Sequence, residues 1–249
     1  MKLIKIFLAV FAGLFFFSLD ASAQSVTIYM NSGATVTFED NSHSAVVLND
    51  DGVAPVLASA IDLGLPSGTL WADMNVGAMK PEDFGGLYAW GEAETKTDYG
   101  WNTYSLCEGD YQSMTKYCKD DTYGKTDGKT VLDPEDDTAT NLMGDDWEMP
   151  TYEQMYELRN NCKWEWTEQN GVKGYKVTGP NGNSIFLPAT GYYYHDEYLA
   201  SNSQAFYWTR TLSDKEDSYS ARHLYIDFEA YNLAYGSRFQ GQAVRAVKK

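Results

Sequence analysis

Only one stretch of this chain carries a complete helix signal, and that scarcity is the strongest limit on its fold. Thr151 follows Pro150 and Gln154 stands three residues later, which is the spacing of a capping box. Met155, Leu158 and Cys162 then recur on one helical face, and Asn160-Asn161 stops the pattern. A second, shorter helix is expected to start at Asp133: Asp is a good N-cap, Pro134 suits the first helical position, and Glu135, Asp136 and Asp137 complement the positive end. From Ile61 onward the rest is short aromatic-bearing segments separated by Gly, Pro, Asn and Asp. Such punctuation predicts strands at Thr69–Ala72, Leu87–Trp90, Gly174–Val177, Ser184–Pro188, Ala205–Thr209, Ala221–Phe228 and Gln242–Val247. The coil from Ala93 to Lys129 is long enough to be either functional or disordered. The class is α+β, dominated by short strands and irregular loops.

Ahead of this lies a different kind of sequence. Lys2 and Lys5 precede an apolar run from Ile6 to Phe17, and Ala21-Ser22-Ala23 closes it as a small-x-small cleavage site. Residues 1–23 therefore read as a secretory signal, too short and wrongly flanked for a spanning helix. Residues 24–60 read as a β-hairpin, Val26 to Phe38 turning at Asn31-Ser32-Gly33, and a linker with one short strand at Ala45–Leu48. Residues 61–249 form the main domain. No other apolar run approaches spanning length, so no membrane insertion is expected once the signal is gone, and the product is secreted or held at the cell surface.

Charge narrows the partners. The formal net charge is −16, and loss of Lys2, Lys5 and Asp20 with the signal takes it to −17. Such a surface repels phosphate backbones and anionic headgroups, which excludes nucleic acid as a natural partner. Export would place Cys107, Cys118 and Cys162 in an oxidising compartment. A Cys107–Cys118 bridge across the turn-rich loop and three reduced, packed thiols both fit.

Chemical motifs are sparse. Gly124–Thr130 ends Gly-Lys-Thr but has three residues between its glycines where a phosphate-binding loop has four. His43, His195 and His223 stand apart, without metal or catalytic spacing, and His195 and His223 are expected at the surface. Asp133, Glu135, Asp136 and Asp137 could offer oxygens to calcium, but an acidic helix start accounts for them without an ion. No metal or other cofactor is expected, and no nucleophile–base pair is visible. Trp90 and Trp147 read as core residues.

The tyrosines are more informative. Aromatics make up 15% of the chain, and nine of 19 tyrosines fall after residue 191, among Asn, Ser and Asp. Rigid aromatics among small polar residues suit a recognition surface, and a tyrosine-rich sheet face would have the same composition. The expected ligand surface is Tyr193, Tyr194, His195, Tyr198, Asn202, Tyr219, Arg222, Tyr225, Asp227, Tyr231, Asn232 and Tyr235. Leu224, Ile226 and Phe228 lie at period 2 as core positions, which puts Tyr225 and Asp227 together on the opposite face.

An ordered series of motifs resembles a known family. Ile61-Asp62-Leu63-Gly64-Leu65-Pro66-Ser67-Gly68-Thr69-Leu70-Trp71 looks like the opening of the Fibrobacter succinogenes major paralogous domain. Asn75-Val76-Gly77-Ala78, Tyr88-Ala89-Trp90-Gly91-Glu92, Trp147-Glu148-Met149-Pro150-Thr151, Gly182–Ala189, Tyr207-Trp208 and Gly241–Arg245 continue it in order. That family occurs on exported proteins of gut and rumen bacteria and is similar to the C-type lectin-like fold of formylglycine-generating enzymes and of retroelement-diversified receptor-binding proteins. The resemblance implies that the first and last strands of the domain pair, near Ile61–Leu63 and Val244–Val247, and that long loops project as a ligand surface. The calcium and sugar motifs of true C-type lectins and the paired catalytic cysteines of formylglycine-generating enzymes have no counterpart. The expectation is a non-enzymatic exported module for a glycan or protein ligand, with a structural cell-surface or fimbria-associated component as the alternative.

Overall fold

A computed structural model describes residues 58–248 in full and, before them, the backbone of three strands. The chain divides into two compact units, Met1–Pro55 and Val56–Lys249. In the first, β1 (Phe16–Leu19), β2 (Ser25–Tyr29) and β3 (Thr35–Glu39) form an antiparallel sheet in that order. The expected hairpin is there, with Val26 opposite Phe38 and Ile28 opposite Val36. The Ala45–Leu48 strand, His43 and most of the expected signal lie outside the described residues.

The second unit is α+β: small antiparallel sheets with two α-helices. Its strands are β4 (Ala60–Asp62), β5 (Leu70–Ala72), β6 (Trp147–Glu148), β7 (Lys163–Gln169), β8 (Val172–Thr178), β9 (Ser184–Pro188), β10 (Tyr192–Tyr194), β11 (Glu197–Leu199), β12 (Gln204–Leu212), β13 (Ser220–Asp227), β14 (Tyr231–Ser237) and β15 (Val247–Lys248). They form four sheets, β4-β5-β15-β6, β7-β8-β9, β10-β11 and β12-β13-β14. The first and last strands share a sheet but do not pair. Ile61 faces Trp71, and Trp71 in turn faces Val247, so β5 stands between them. The intervening Pro66-Ser67-Gly68 turn returns the chain at once, and a local hairpin closes at a smaller entropic cost than a pairing across the whole domain.

Of two other expected strands, Leu87–Trp90 is reduced to a single bridge and Gln242–Val247 keeps only its end, Val247, in β15. Gly241, Gln242 and Ala243 exchange partners residue by residue, with Tyr193, Tyr88 and Tyr207 respectively. No ladder can run along a segment that changes neighbour at each step. Leu87–Trp90 is therefore extended but not a strand. Its own contacts are with Gln242 and Arg238, and the Trp90 indole donates to the Thr209 carbonyl at 2.8 Å.

Helix α2 (Tyr152–Asn161) has the expected capping box: Thr151 Oγ1 accepts from Gln154 N, and Gln154 Oε1 accepts from Thr151 N. Met155 and Leu158 enter the core beside Trp71, Tyr207, Leu224 and Ile226. Helix α1 (Thr138–Met143) starts later than Asp133. The Asp133 carboxylate is drawn to Lys129 and Lys116, and the cap is Asp137, whose buried carboxylate accepts from Thr140 N and Met149 N. Pro134–Asp136 is only a 3-10 turn. Trp90 and Trp147 pack in a second cluster with Trp208 and Val244. Phe228 is 66% exposed rather than core, because β13 ends at Asp227 and the turn that Asp227 caps swings it outward.

The coil from Ala93 to Lys129 is ordered. It encloses its own cluster of Tyr99, Tyr104, Cys107, Met114 and Cys118, packed on Ala89 and Phe239. Arg238 holds it to the sheet. Its guanidinium is fully buried and donates to Tyr104 Oη, to the Tyr117 and Ser218 carbonyls and to the Lys116 carbonyl, at 2.9–3.2 Å. The three cysteines are unbridged. Cys107 donates to the Trp101 carbonyl and Cys118 to the Asp120 carbonyl, so each thiol is turned into its own loop. No helix among the described residues is long and apolar enough to cross a membrane.

Candidate functional site

The ordered loop and the C-terminal strands meet in one aromatic surface. Across β12 and β13, Phe206 faces Tyr225 with ring centroids 5.1 Å apart, and Tyr192 packs on Phe206 at 4.7 Å. Tyr194, two residues along β10, shares the face of Tyr192. Its ring lies 5.4 Å from Phe239, which touches Trp101 at 4.7 Å. Trp101 meets Tyr219 edge-on, and Tyr219 sits between Tyr111 and Tyr123 at 5.4 and 5.5 Å. Phe239 is a buried floor, while Tyr194 and Tyr111 stand 42% and 39% exposed. A track of rings thus runs from Tyr225 to Tyr111.

The β10–β11 hairpin is fixed at its tip. His195 has φ +56°, a left-handed conformation that is unusual for a side chain of this size, and such strain persists only where neighbours impose it. Here Tyr99 imposes it: each residue's N–H donates to the other's carbonyl at 2.8 Å. The imidazole lies over Gly100, where a Cβ would stand 2.9 Å from His195 Nδ1. Below it, Asp98 Oδ1 is 4.0 Å from Nδ1. The hairpin's other side is a stack in which Tyr193 lies between Tyr99 and Tyr198, 5.1 Å from each. Tyr198 Oη donates to the Thr190 carbonyl, and burial raises its pKa.

The expected ligand residues separate into two groups, with Asn202 apart from both. Tyr193, Tyr194, His195, Tyr198, Tyr219, Tyr225 and Asp227 belong to the track or its flank. Tyr225 Oη donates to Asp227, as the shared face requires. Burial, with that hydrogen bond second, pushes Tyr225 up to about 12, and the same bond lowers Asp227. Asn202, with φ +58°, accepts from Lys173 N and so serves the turn. The remainder cluster around α2. Tyr231 stacks on Trp164 at 4.7 Å against the core, and Asn232 accepts from Arg159. Arg222 pairs with Asp214 and lies over Tyr152, and Lys215 covers the Tyr235 ring at 3.5 Å.

Trp101, Tyr111, Tyr123, Phe206 and Phe239 complete the track without having been singled out in the sequence. The length of the Ala93–Lys129 coil was the only sign for the first three. His223 is buried, not at the surface. It shares the face of Tyr225, between Phe206 and Trp208, and is covered there by Gln242, whose Oε1 pairs with Nδ1 at 3.0 Å; burial pushes its pKa down to about 4.

Asp133, Glu135 and Asp136 do converge, with oxygens within 4.8 Å of one another. Lys116 Nζ sits among them, 3.3 Å from Asp133 and 3.1 Å from Glu135 and paired with Asp136, while Lys129 holds Asp133 from the other side. Ammonium groups already meet the cluster's charge. No known family, curated protein or solved structure matches this chain.

Proposed function

We propose that residues 61–249 form an exported, non-enzymatic recognition module that binds a glycan or protein ligand along the aromatic track. We further propose a C-type lectin-like domain akin to the Fibrobacter succinogenes major paralogous family, secreted or displayed at the cell surface after cleavage following Ala23. The observation that carries the reading is the track itself. Part-exposed rings from the Ala93–Lys129 coil and from the C-terminal strands meet over the buried Phe239, and the coil is held there by the Tyr99–His195 backbone pair and by Arg238. Aromatic rings offer large contact area at little entropic cost, since only two torsions need be fixed. Cys107 and Cys118 are turned into their own loop and His223 is buried against Gln242, which suits binding better than catalysis.

The test is an array of glycans and host surface proteins probed with the exported protein and with Trp101→Ala, Tyr194→Ala and Tyr225→Ala. These variants should lose binding; Tyr194→Ala should melt close to wild type, since that ring is 42% exposed, while Trp101→Ala and Tyr225→Ala should lose a little stability with the ring contacts they give up. Tyr231→Ala should instead lower stability, since that ring completes the stack on Trp164. Normal binding by all three track variants would refute the assignment. Co-purification of a filament, with no ligand on either array, would favour the structural alternative.

A further inference from the structure

Beside the track, at the foot of His195, a shallow cleft of roughly 470 Å³ is lined by Thr95, Lys96, Thr97, Asp98 and Thr103. It is open to solvent, a surface seat rather than an enclosed pocket. Its polar groups divide into spent and unspent. Lys96 Nζ is spent: it pairs with Glu92 at 2.6 Å and donates to the Thr103 carbonyl at 2.7 Å. Thr103 Oγ1 is spent as well, donating to the Asp98 carbonyl and accepting from Gly100 N. The Thr95 and Thr97 hydroxyls and the Asp98 carboxylate have no hydrogen-bond partner among the described residues. Asp98 Oδ1 is shielded from solvent and faces the His195 imidazole, so the oxygen open to a ligand is Oδ2, on a side chain that is 42% exposed.

The surroundings show that this carboxylate is placed. The strained backbone of His195, its two backbone hydrogen bonds with Tyr99 and the absence of a side chain at Gly100 together set the imidazole 4.0 Å from Oδ1. One carboxylate edge therefore faces the imidazole, and the other is left for the cleft.

Resting on the recognition reading above, we propose that this cleft seats one ring of a neutral glycan, with Asp98 accepting its hydroxyls and the adjoining sugars lying on Trp101 and Tyr194. The charges select against an acidic sugar. Lys96 is held by Glu92, so Asp98 carries the cleft's uncompensated charge, and it repels an anion, whereas a hydroxyl both donates to the carboxylate and accepts from Thr95 or Thr97. Aromatic platforms beside such a polar seat fit the apolar face of a sugar ring. A protein ligand would need no such seat.

The test is calorimetric titration with cellohexaose, xylohexaose, mannohexaose and laminarihexaose, with hexagalacturonate as the acidic control. At least one neutral chain should bind and the acidic one should not. Asp98→Ala should weaken that binding tenfold or more. Asp98→Asn, which still accepts a hydrogen bond, should lose less, and both should melt as wild type does. If Trp101→Ala abolishes binding while both Asp98 variants bind normally, the seat is refuted and the recognition reading stands. If no neutral chain binds but a protein from the array does, the glycan assignment falls alone. Stronger binding of hexagalacturonate than of the neutral chains would also overturn it. Should Asp98→Ala fail to fold, Asp98→Asn decides.

Discussion

Replacing Arg238 by methionine tests how the long loop is held. The substitution keeps the apolar stem and removes the guanidinium, which makes four hydrogen bonds, three of them to the backbone carbonyls of Lys116, Tyr117 and Ser218. Each carbonyl left buried without a donor costs about 1–3 kcal/mol. The cation also lies 4.9 Å from the Trp90 ring centroid and 5.3 Å from that of Tyr104, contacts worth up to about 2 kcal/mol each when desolvated. Against these losses stands the desolvation of the guanidinium itself, which methionine avoids. The guanidinium has no carboxylate partner, so its removal leaves no buried charge behind; three orphaned carbonyls, offset in part by the relieved desolvation, set the expected loss at about 2–4 kcal/mol. It is a large share of the ~5–15 kcal/mol by which a domain is stable. The loop has its own small cluster, so part of the loss should appear as local opening between Tyr104 and Gly128. Urea unfolding at neutral pH measures the total, and limited proteolysis followed by mass spectrometry locates the opening. Arg238→Lys should recover only part, since a lysine cannot span three carbonyls and a phenol from one fork. A loss below about 1 kcal/mol with unchanged cleavage would refute the reasoning.

Three further outcomes are expected. His223 is held neutral by burial, at about 4 against an ordinary 6.5, so the unfolded chain takes up its proton first as pH falls; stability should drop between pH 6.5 and 4 by up to about 3 kcal/mol, and urea titrations at pH 7, 5.5 and 4.5 should show His223→Gln to be flatter, an equal slope arguing against this. Chelation should leave the melting temperature unchanged, because Lys116 occupies the Asp133–Asp136 cluster; a fall of several degrees, abolished in Asp136→Asn, would mean that an ion displaces the lysine. N-terminal sequencing of exported material should begin at Gln24, and material that still starts at Met1 would show the leader reading to be mistaken.

What the sequence made legible was local. The Thr151–Gln154 box depends on residues three apart, and both of its bonds form. Leu224 and Ile226 against Tyr225 and Asp227 is a period-2 pattern, and it held until Phe228, where the strand stops. Asn170-Gly171 was equally local and went unread. Both residues have positive φ, at +50° and +83°, and they turn β7 into β8; an Asn-Gly pair between apolar runs is the strongest short hairpin signal there is. The misread helix start at Asp133 shows a limit of another kind. Five positions there are acidic or proline, and which aspartate caps depends on two lysines supplied from the preceding loop. The surface was half legible for the same reason. Tyrosine density pointed to Tyr194, Tyr219 and Tyr225, but the rings that join them come from Trp101 and Phe239, and only the arginine-held loop brings those together.

The burial of Arg238 and Arg245 has a consequence beyond stability. Both guanidinium groups are fully enclosed, Arg245 between Asn75 and the Ala72 and Phe186 carbonyls, and burial pushes its pKa down to about 10. Neither is paired with a carboxylate, so neither cancels a surface charge at close range. Two of the nineteen basic residues are thus spent inward; they still count in the net −16 that sets the outer potential, but the charged groups a partner can touch are more acidic than the composition suggests. An approaching molecule responds to that outer potential, which fades over about 8 Å at physiological ionic strength. Cationic partners would be drawn in quickly and slowed by added salt, anionic ones held off until salt screens them, and a neutral one would arrive at a rate that salt hardly alters.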